Sequence, residues 1–118
     1  MKVTIPVSVG ELIDKITILE IKVLFSNDKY LKQELDELNQ IRQTITQSVI
    51  IEELQLKRVN EKLWKIEDRI REKEKLQQFD DEFIELARQV YLTNDQRASI
   101  KKRINELTNS SYQEVKLY

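Results

Sequence analysis

The sequence predicts an all-α protein: an antiparallel helical bundle or hairpin with a long central helix, and a short strand-like segment at each end. Gly and Pro occur once each in 118 residues and charged residues make up 35% of the chain, which is typical of helices with salt-bridged surfaces. Apolar residues recur at helical spacing through most of the chain. Residues 2–7 and 112–118 have instead the composition of short strands.

Length and charge limit the classes of protein to consider. The chain is expected to form one domain over residues 1–118. Its 20 basic and 21 acidic side chains leave a net charge of -1, so no overall field attracts nucleic acid or an anionic membrane. The sequence has no apolar run of about 18 residues and does not start like a signal peptide. We therefore expect a cytoplasmic protein with no membrane association and no nucleic-acid partner.

The residue types that are missing exclude several chemistries. The chain has no His and no Cys, which excludes the usual zinc sites and the Ser-His and Cys-His nucleophiles. Gly10 is the single glycine, and one glycine cannot build a P-loop or a dinucleotide-binding turn. A metal would need oxygen ligands only. We predict no metal site and no cofactor.

The N-terminal part of the chain contains a clear helix start. Ser8 followed by Glu11 is a capping box, in which each side chain reaches the backbone N–H of the other residue. The helix should run from about residue 9 to 26 and end at a Ser-Asn-Asp stretch that caps the next helix. Its apolar residues form two stripes: Leu12, Ile16, Leu19 and Val23 form one, and Ile18, Ile21 and Phe25 form the other.

The middle of the chain has the spacing of a coiled-coil seam. From Leu31 to Ile70 the apolar residues follow a three-four rhythm, which allows two structures. One is a continuous helix over residues 28–77, about 75 Å long. The other is an antiparallel hairpin that turns near 46–48, where β-branched residues are concentrated. We favour the hairpin, with its second helix over about 49–77 and the polar end of that helix in solvent.

Two further helices are expected after the hairpin. Asp80 caps the first of them, and Thr93 or Asn94 caps the second. An Asn-Ser-Ser stretch at 109–111 ends the last helix, and the C-terminal strand-like segment follows. The two terminal strands, if they pair, must lie on the helices or on a second subunit, because a two-stranded ribbon is marginal alone.

Four stretches resemble a known but uncharacterised protein family. They are VSVGELIDKITILEIK (7–22), VNEKLWKIEDRIR (59–71), FIELARQVYLTNDQRASIKKRINEL (83–107) and EVKLY (114–118). They are similar to a domain of unknown function found in small helical proteins of bacteria and their viruses. Genes of that family often lie near genes for glycosyltransferases and surface-polysaccharide assembly. The resemblance implies a helical fold and a link to surface-glycan assembly, and it supplies no activity.

Three clusters of polar residues next to the apolar stripes are candidate ligand-binding sites. The first is Glu20 in the helix expected over about 9–26. The second lies along the helix expected over about 49–77 and comprises Asn60, Trp64, Glu67, Asp68 and Arg71. The third lies around the expected joint of the last two helices and comprises Arg88, Tyr91, Asn94, Asp95, Arg97 and Lys101.

The clusters have two interpretations. In a single ligand site, Arg88 and Arg97 would hold an anion, Trp64 would stack on a planar or sugar ring, and Glu67 or Glu20 would accept hydrogen bonds. Alternatively, the same residues form an internal ion-pair network around a helix-packing tryptophan. We favour the network, with Arg88 and Glu67 among its members.

These patterns predict a non-catalytic accessory or adaptor protein that works through helical protein–protein contacts. The alternative is a binder or an enzyme for a small anionic ligand such as a sugar nucleotide, and the residues alone do not decide whether the chain is an enzyme. A homodimer with two-fold symmetry is expected, because a helix packed on one side needs only one apolar stripe and the helix expected over about 9–26 has two.

Overall fold

The computed structural model describes residues 1–117, and within them the chain is all-helical. The four helices are α1 (Val9–Phe25), α2 (Lys29–Arg42), α3 (Ile50–Lys75) and α4 (Asp81–Leu107). No helix in the described part of the chain is long and apolar enough to cross a membrane.

Helix α1 lies at the centre and packs against each of the other three helices. Eight of its residues are buried, and they come from both sides of the helix: Gly10, Leu12, Ile13, Asp14, Ile16, Thr17, Leu19 and Ile21. Leu12, Ile16 and Leu19 of the first stripe and Ile21 of the second are thus buried within the chain, whereas Phe25 of the second stripe is 69% exposed. The two stripes no longer require a second subunit to cover one of them.

The capping residues that define the helix starts are confirmed in three places. The Ser8 hydroxyl accepts a hydrogen bond from the Glu11 N–H, at 3.0 Å. The Asp28 carboxylate accepts from the Tyr30 N–H at the start of α2. The Asp80 carboxylate accepts from the Phe83 N–H at the start of α4. Each of these caps satisfies a backbone donor that the first helical turn leaves without an intrahelical partner.

The chain breaks between α2 and α3, as the hairpin interpretation predicted, but the two helices do not form a packed pair. Helix α2 ends at Arg42 and α3 begins at Ile50. Both helices pack on α1, and neither packs along the other. An ion pair between Arg42 and Glu53 joins them next to the turn. The result is two helices that are joined by a turn and both pack on α1, in place of the expected closed hairpin.

Helix α4 replaces the two last helices of the sequence-based prediction, which was wrong here. Thr93 and Asn94 were expected to cap a fifth helix, but they lie inside one continuous helix that packs along α3. The Thr93 side chain is fully buried. A Thr-Asn pair is only a weak local preference for a helix start, and burial against neighbouring helices outweighs it.

The polar end of α3 lies in solvent as the sequence predicted, except at one residue. Residues 71–78 are exposed apart from Lys73, whose side chain is only 4% exposed. Its ammonium group lies 2.7 Å from the Asp80 carboxylate, across the turn into α4. Gln77, in that turn, has the left-handed backbone angle φ 54° that commonly follows a helix end.

The start of α1 is joined to the end of α4. The Gly10 N–H donates to the Asn105 side-chain oxygen at 2.7 Å, and the Val9 N–H donates to the Ser110 hydroxyl at 3.1 Å. A Cβ atom on Gly10 would lie 2.6 Å from the Lys101 carbonyl oxygen. The two helices therefore approach more closely here than a side chain would allow. The core cluster of Ile13, Val49, Leu56 and Ile104 completes this contact between α1, α3 and α4.

The described residues of the two terminal segments, 2–7 and 112–117, do not form strands, and position 118 lies outside the described residues. Lys2 pairs with Glu37 of α2, whereas Glu114 pairs with Lys101 of α4. The two segments are therefore held by different helices, and the described residues 1–117 contain no strand. A strand needs a neighbour to supply its hydrogen bonds, and the single chain does not bring the two segments together.

Candidate functional site

The most buried charged group of α1 is Asp14, whose side chain is 1% exposed. Arg97 of α4 contacts both of its oxygens, with Nε 2.9 Å from Oδ1 and Nη2 2.5 Å from Oδ2. Asn60 of α3 donates to Oδ1 at 2.9 Å and to the Thr17 hydroxyl at 2.8 Å. One carboxylate thus joins three helices, and its charge is balanced by a bidentate guanidinium.

Lys101 of α4 extends this network. Its ammonium lies 2.7 Å from Glu11, 3.3 Å from Glu114 and 4.0 Å from Asp14. Burial lowers the pKa of Lys101, but the hydrogen bond to Glu11 and the three carboxylates outweigh burial, so this pKa lies above its ordinary value of 10.5. The hydrogen bond to Asp14 likewise raises the pKa of Arg97. Both cations are therefore held charged by internal carboxylates.

Five of the nine predicted ligand-binding residues line one groove between α1, α3 and α4. The groove has a volume of about 460 Å³ and includes apolar side chains of α1. The predicted residues that line it are Asn60, Trp64, Glu67, Arg71 and Arg97. We call it the Trp64 groove.

The groove's polar groups are largely paired with one another. Trp64 is stacked on Phe25 with ring centroids 5.3 Å apart, so one face of the indole is covered. Arg71 is 3.7 Å from Glu67, one turn away on the same helix. Arg97 is bound to Asp14. Arg71, which is 77% exposed, is thus the groove cation best able to meet an anion.

The remaining four predicted residues lie elsewhere. Arg88 is exposed and pairs only loosely with Glu85, at 3.4 Å. Tyr91 and Asn94 line a different groove, of about 830 Å³, between α4 and the C-terminal segment. Glu20 lies 3.6 Å from Lys57 of α3. The fold therefore does not bring these residues together in a single site with Arg97 and Trp64.

The residues that the sequence interpretation missed are Asp14, Glu11 and Glu114. Asp14 lies between the two apolar stripes of α1, and its burial follows from the enclosure of α1 by three helices. The sequence did contain a signal for this burial: an acidic residue between two apolar stripes is shielded from solvent when other helices cover both stripes. Glu114 lies in a segment without regular structure, and its contact with Lys101 has no sequence signature.

The arrangement suits structural ion pairing better than acid–base chemistry. The Asp14 carboxylate and the Lys101 ammonium each have an opposite charge within 4.0 Å, and the pKa values of Arg97 and Lys101 are raised, so both of these bases stay charged. In the described residues there is no group of three or more His, Cys, Asp or Glu side chains able to hold a metal ion.

Fold and network together define a class: a small four-helix protein in which a buried carboxylate on the central helix anchors two of its neighbours. The family model for DUF6165, a family of unknown function, matches residues 1–118. The chain belongs to this family. No curated protein and no solved structure matches the chain.

Proposed function

We propose that the protein is a non-catalytic accessory or adaptor that works through contacts of its helices with other protein chains. The observation that supports this proposal is the lack of packing between α2 and α3. Both helices pack on α1 and not on each other, which leaves a groove of about 240 Å³ between the three. We call it the α2–α3 groove.

The α2–α3 groove has the composition of a protein-docking surface. Ile13 and Ile16 of α1 lie at its base, and Ile50 and Leu54 of α3 border it. The side chains of Ile50 and Leu54 are 64% and 54% exposed. Charged residues of both signs surround these apolar groups: Arg42, Glu53, Glu20 and Lys57. An apolar centre with a mixed polar rim fits an amphipathic helix of a partner protein.

The balance of buried and exposed apolar side chains supports the same proposal. In residues 1–117, nine hydrophobic side chains are buried and twenty large ones are exposed. Single exposed apolar residues are normal, but clusters such as Ile50, Ile51 and Leu54 on one helix start favour coverage by another chain. A two-fold homodimer is one such assembly, and we propose it as the resting state. A setting in surface-glycan assembly and a cytoplasmic location stay predictions from the sequence.

Photo-crosslinking in cells tests the adaptor proposal. A photoreactive amino acid in place of Leu54 should give a discrete, high-yield covalent adduct with one or a few proteins. The same amino acid in place of Lys32, an exposed residue of α2 outside the groove, should give little adduct. Equal, diffuse labelling from both positions would contradict docking at this groove.

A small anionic ligand such as a sugar nucleotide is the second candidate, because five predicted residues line the Trp64 groove. Arg71 would supply the charge, and the face of Trp64 opposite Phe25 would supply the stacking surface. A thermal-shift screen with sugar nucleotides tests it, since a ligand that binds the native state raises the melting temperature. Arg71→Ala should abolish such a shift and Arg88→Ala should not. If no member of the panel shifts the parent protein, this second candidate is wrong.

A further inference from the structure

The N-terminal segment, residues 2–7, has a backbone without partners. None of its N–H or C=O groups forms a hydrogen bond with the backbone of another described residue. Its apolar side chains are exposed: Val3 by 74%, Ile5 by 67% and Val7 by 45%. The contact that ties the segment to the helices is the ion pair between Lys2 and Glu37, at 2.7 Å. Unpaired backbone next to exposed apolar side chains is a template for strand pairing.

The sequence of the segment allows pairing along one edge only. In an extended strand, alternate side chains point to opposite faces, and alternate backbone N–H and C=O groups point to opposite edges. Val3, Ile5 and Val7 share one face, and all three keep their backbone donors on the corresponding edge. Pro6 lies on the other edge, where it lacks an N–H. A second strand can add to the odd-numbered edge, and growth on the other side is blocked.

The odd-numbered positions are also self-complementary. Val-Ile-Val reads the same in both directions about Ile5, and an isologous interface requires a surface that matches itself. In an antiparallel pair centred on Ile5, Val3 of one copy faces Val7 of the other and Ile5 faces Ile5. All three pairs occupy hydrogen-bonded positions, so the backbone N–H and C=O groups of the two odd-numbered edges bond each other. The apolar side chains of both copies then lie on the same face of the ribbon.

The charges of the segment are compatible with this pairing. Lys2 is the single charged side chain before Glu11. The two-fold arrangement puts the two Lys2 residues at opposite ends of the ribbon, about 20 Å apart. Each lies opposite Ser8 of the other copy, next to the first turn of α1, where the Glu11 carboxylate is 49% exposed. Like charges are thus separated, and opposite charges are brought near each other.

We propose that the N-terminal segments of two copies pair as an antiparallel two-stranded ribbon centred on Ile5. This inference rests on the self-association included in the proposed function, and it identifies the surface and the partner: a second copy of this chain. The ribbon's apolar face then lies against the helices that start beside it, which supplies the packing that a two-stranded ribbon needs.

Cysteine cross-linking tests the register, because the chain has no native cysteine. Three full-length single variants are compared: Ile5→Cys, Val3→Cys and Val7→Cys. Across the two-fold axis the Cα atoms at position 5 are about 5.5 Å apart, within disulfide range. The two copies of position 3, or of position 7, are about 14 Å apart. All three side chains are exposed in the single chain, so none of the substitutions removes a core contact.

We expect Ile5→Cys to form disulfide-linked dimers about tenfold faster than either other variant alone, because only its thiols meet in register. A mixture of Val3→Cys and Val7→Cys should cross-link as a heterodimer at a rate close to that of Ile5→Cys. Equal rates in all three variants and no gain on mixing would overturn the ribbon.

Sedimentation of the native chain separates the possible failures. A mass of twice 14.2 kDa that Ile5→Asp reduces to the monomer, and Thr4→Asp does not, supports the ribbon. A dimer that Ile5→Asp leaves intact overturns the ribbon while self-association stands. A native monomer overturns both. Docking at the α2–α3 groove is tested independently by the Leu54 photo-crosslink.

Discussion

Asp14 and Arg97, which are 83 residues apart in sequence, form a bidentate ion pair that joins α1 to α4. The Asp14 carboxylate is almost fully buried, whereas the Arg97 side chain is 28% exposed. Two donors from one planar guanidinium fix the angle as well as the distance between the helices. A buried carboxylate without such a partner would be costly, so this pair determines how the helices can meet.

Arg88 and Glu67, which the sequence analysis placed in the buried network, should contribute little to the free energy of unfolding. Arg88→Ala and Glu67→Ala were expected to lower the urea midpoint markedly if both residues lay in a buried network. In the structure both make long, exposed contacts one helical turn away. We now expect each variant to change the free energy of unfolding by less than about 0.5 kcal/mol. Urea titrations of the two variants beside the parent protein check this.

Gly10 should not tolerate a side chain. Alanine normally stabilises a helix relative to glycine by about 1 kcal/mol, but its Cβ here would meet backbone and side-chain oxygens of α4 at 2.6 and 2.9 Å. Gly10→Ala should therefore destabilise the protein, by about 1–3 kcal/mol. Lys22→Ala, at an exposed position of the same helix, is the matched control. A Gly10→Ala variant more stable than the parent would mean that α1 and α4 are farther apart.

Removing the Thr93 hydroxyl should make the protein more stable. The Thr93 oxygen is buried and has no hydrogen-bond partner among the described residues. Replacement by the isosteric valine removes an unsatisfied polar group, and we expect a gain of about 1 kcal/mol in unfolding free energy. Thr17→Val is the contrast, because the Thr17 hydroxyl bonds both Asn60 and the Asp14 carbonyl. If Thr93→Val destabilises as much as Thr17→Val, the Thr93 hydroxyl has a partner.

The raised pKa of Lys101 leads us to expect a loss of stability at alkaline pH. Its pKa in the folded protein is raised above 10.5, because hydrogen bonding and nearby carboxylates outweigh burial. A base with a raised pKa contributes stability below its unfolded pKa and loses it as the pH rises through the folded value. The unfolding free energy should therefore fall above pH 10.5, and the fall should be smaller in Lys101→Met. Parallel alkaline profiles for the two proteins would contradict this role.

Local signals in the sequence predicted the parts of the fold that depend on local chemistry. The capping side chains of Ser8, Asp28 and Asp80 each bond a backbone N–H no more than three residues away. The local sequence is therefore sufficient to identify them. The break after α2 follows from a stretch of weak helix formers. The all-helical class followed from the spacing of apolar residues over most of the chain.

The sequence-based predictions that were wrong or incomplete concern residues whose structure depends on neighbours distant in sequence. Thr93 and Asn94 have the chemistry of a helix start, yet packing along α3 keeps them inside α4. Residues 2–7 have the composition of a strand, but none of the other residues described by the structure forms a strand beside them. The Trp64 groove was predicted in part, since Asn60, Trp64, Glu67 and Arg71 share α3. Asp14 was missed because its burial requires three helices at once.

We infer that the buried charged residues hold the helices together and do not serve a ligand. The most direct test is the free energy of unfolding of Arg97→Met, with Arg88→Met on the same helix as control and Asp14→Leu as the second member of a double-mutant cycle. Removing Arg97 leaves the buried Asp14 carboxylate without its bidentate partner and with Lys101, 4.0 Å away, as its remaining counter-charge. We therefore predict a loss of about 3–5 kcal/mol that the double variant partly recovers. An Arg97→Met protein that unfolds at the same urea concentration as the parent, or at a higher one, would contradict the claim.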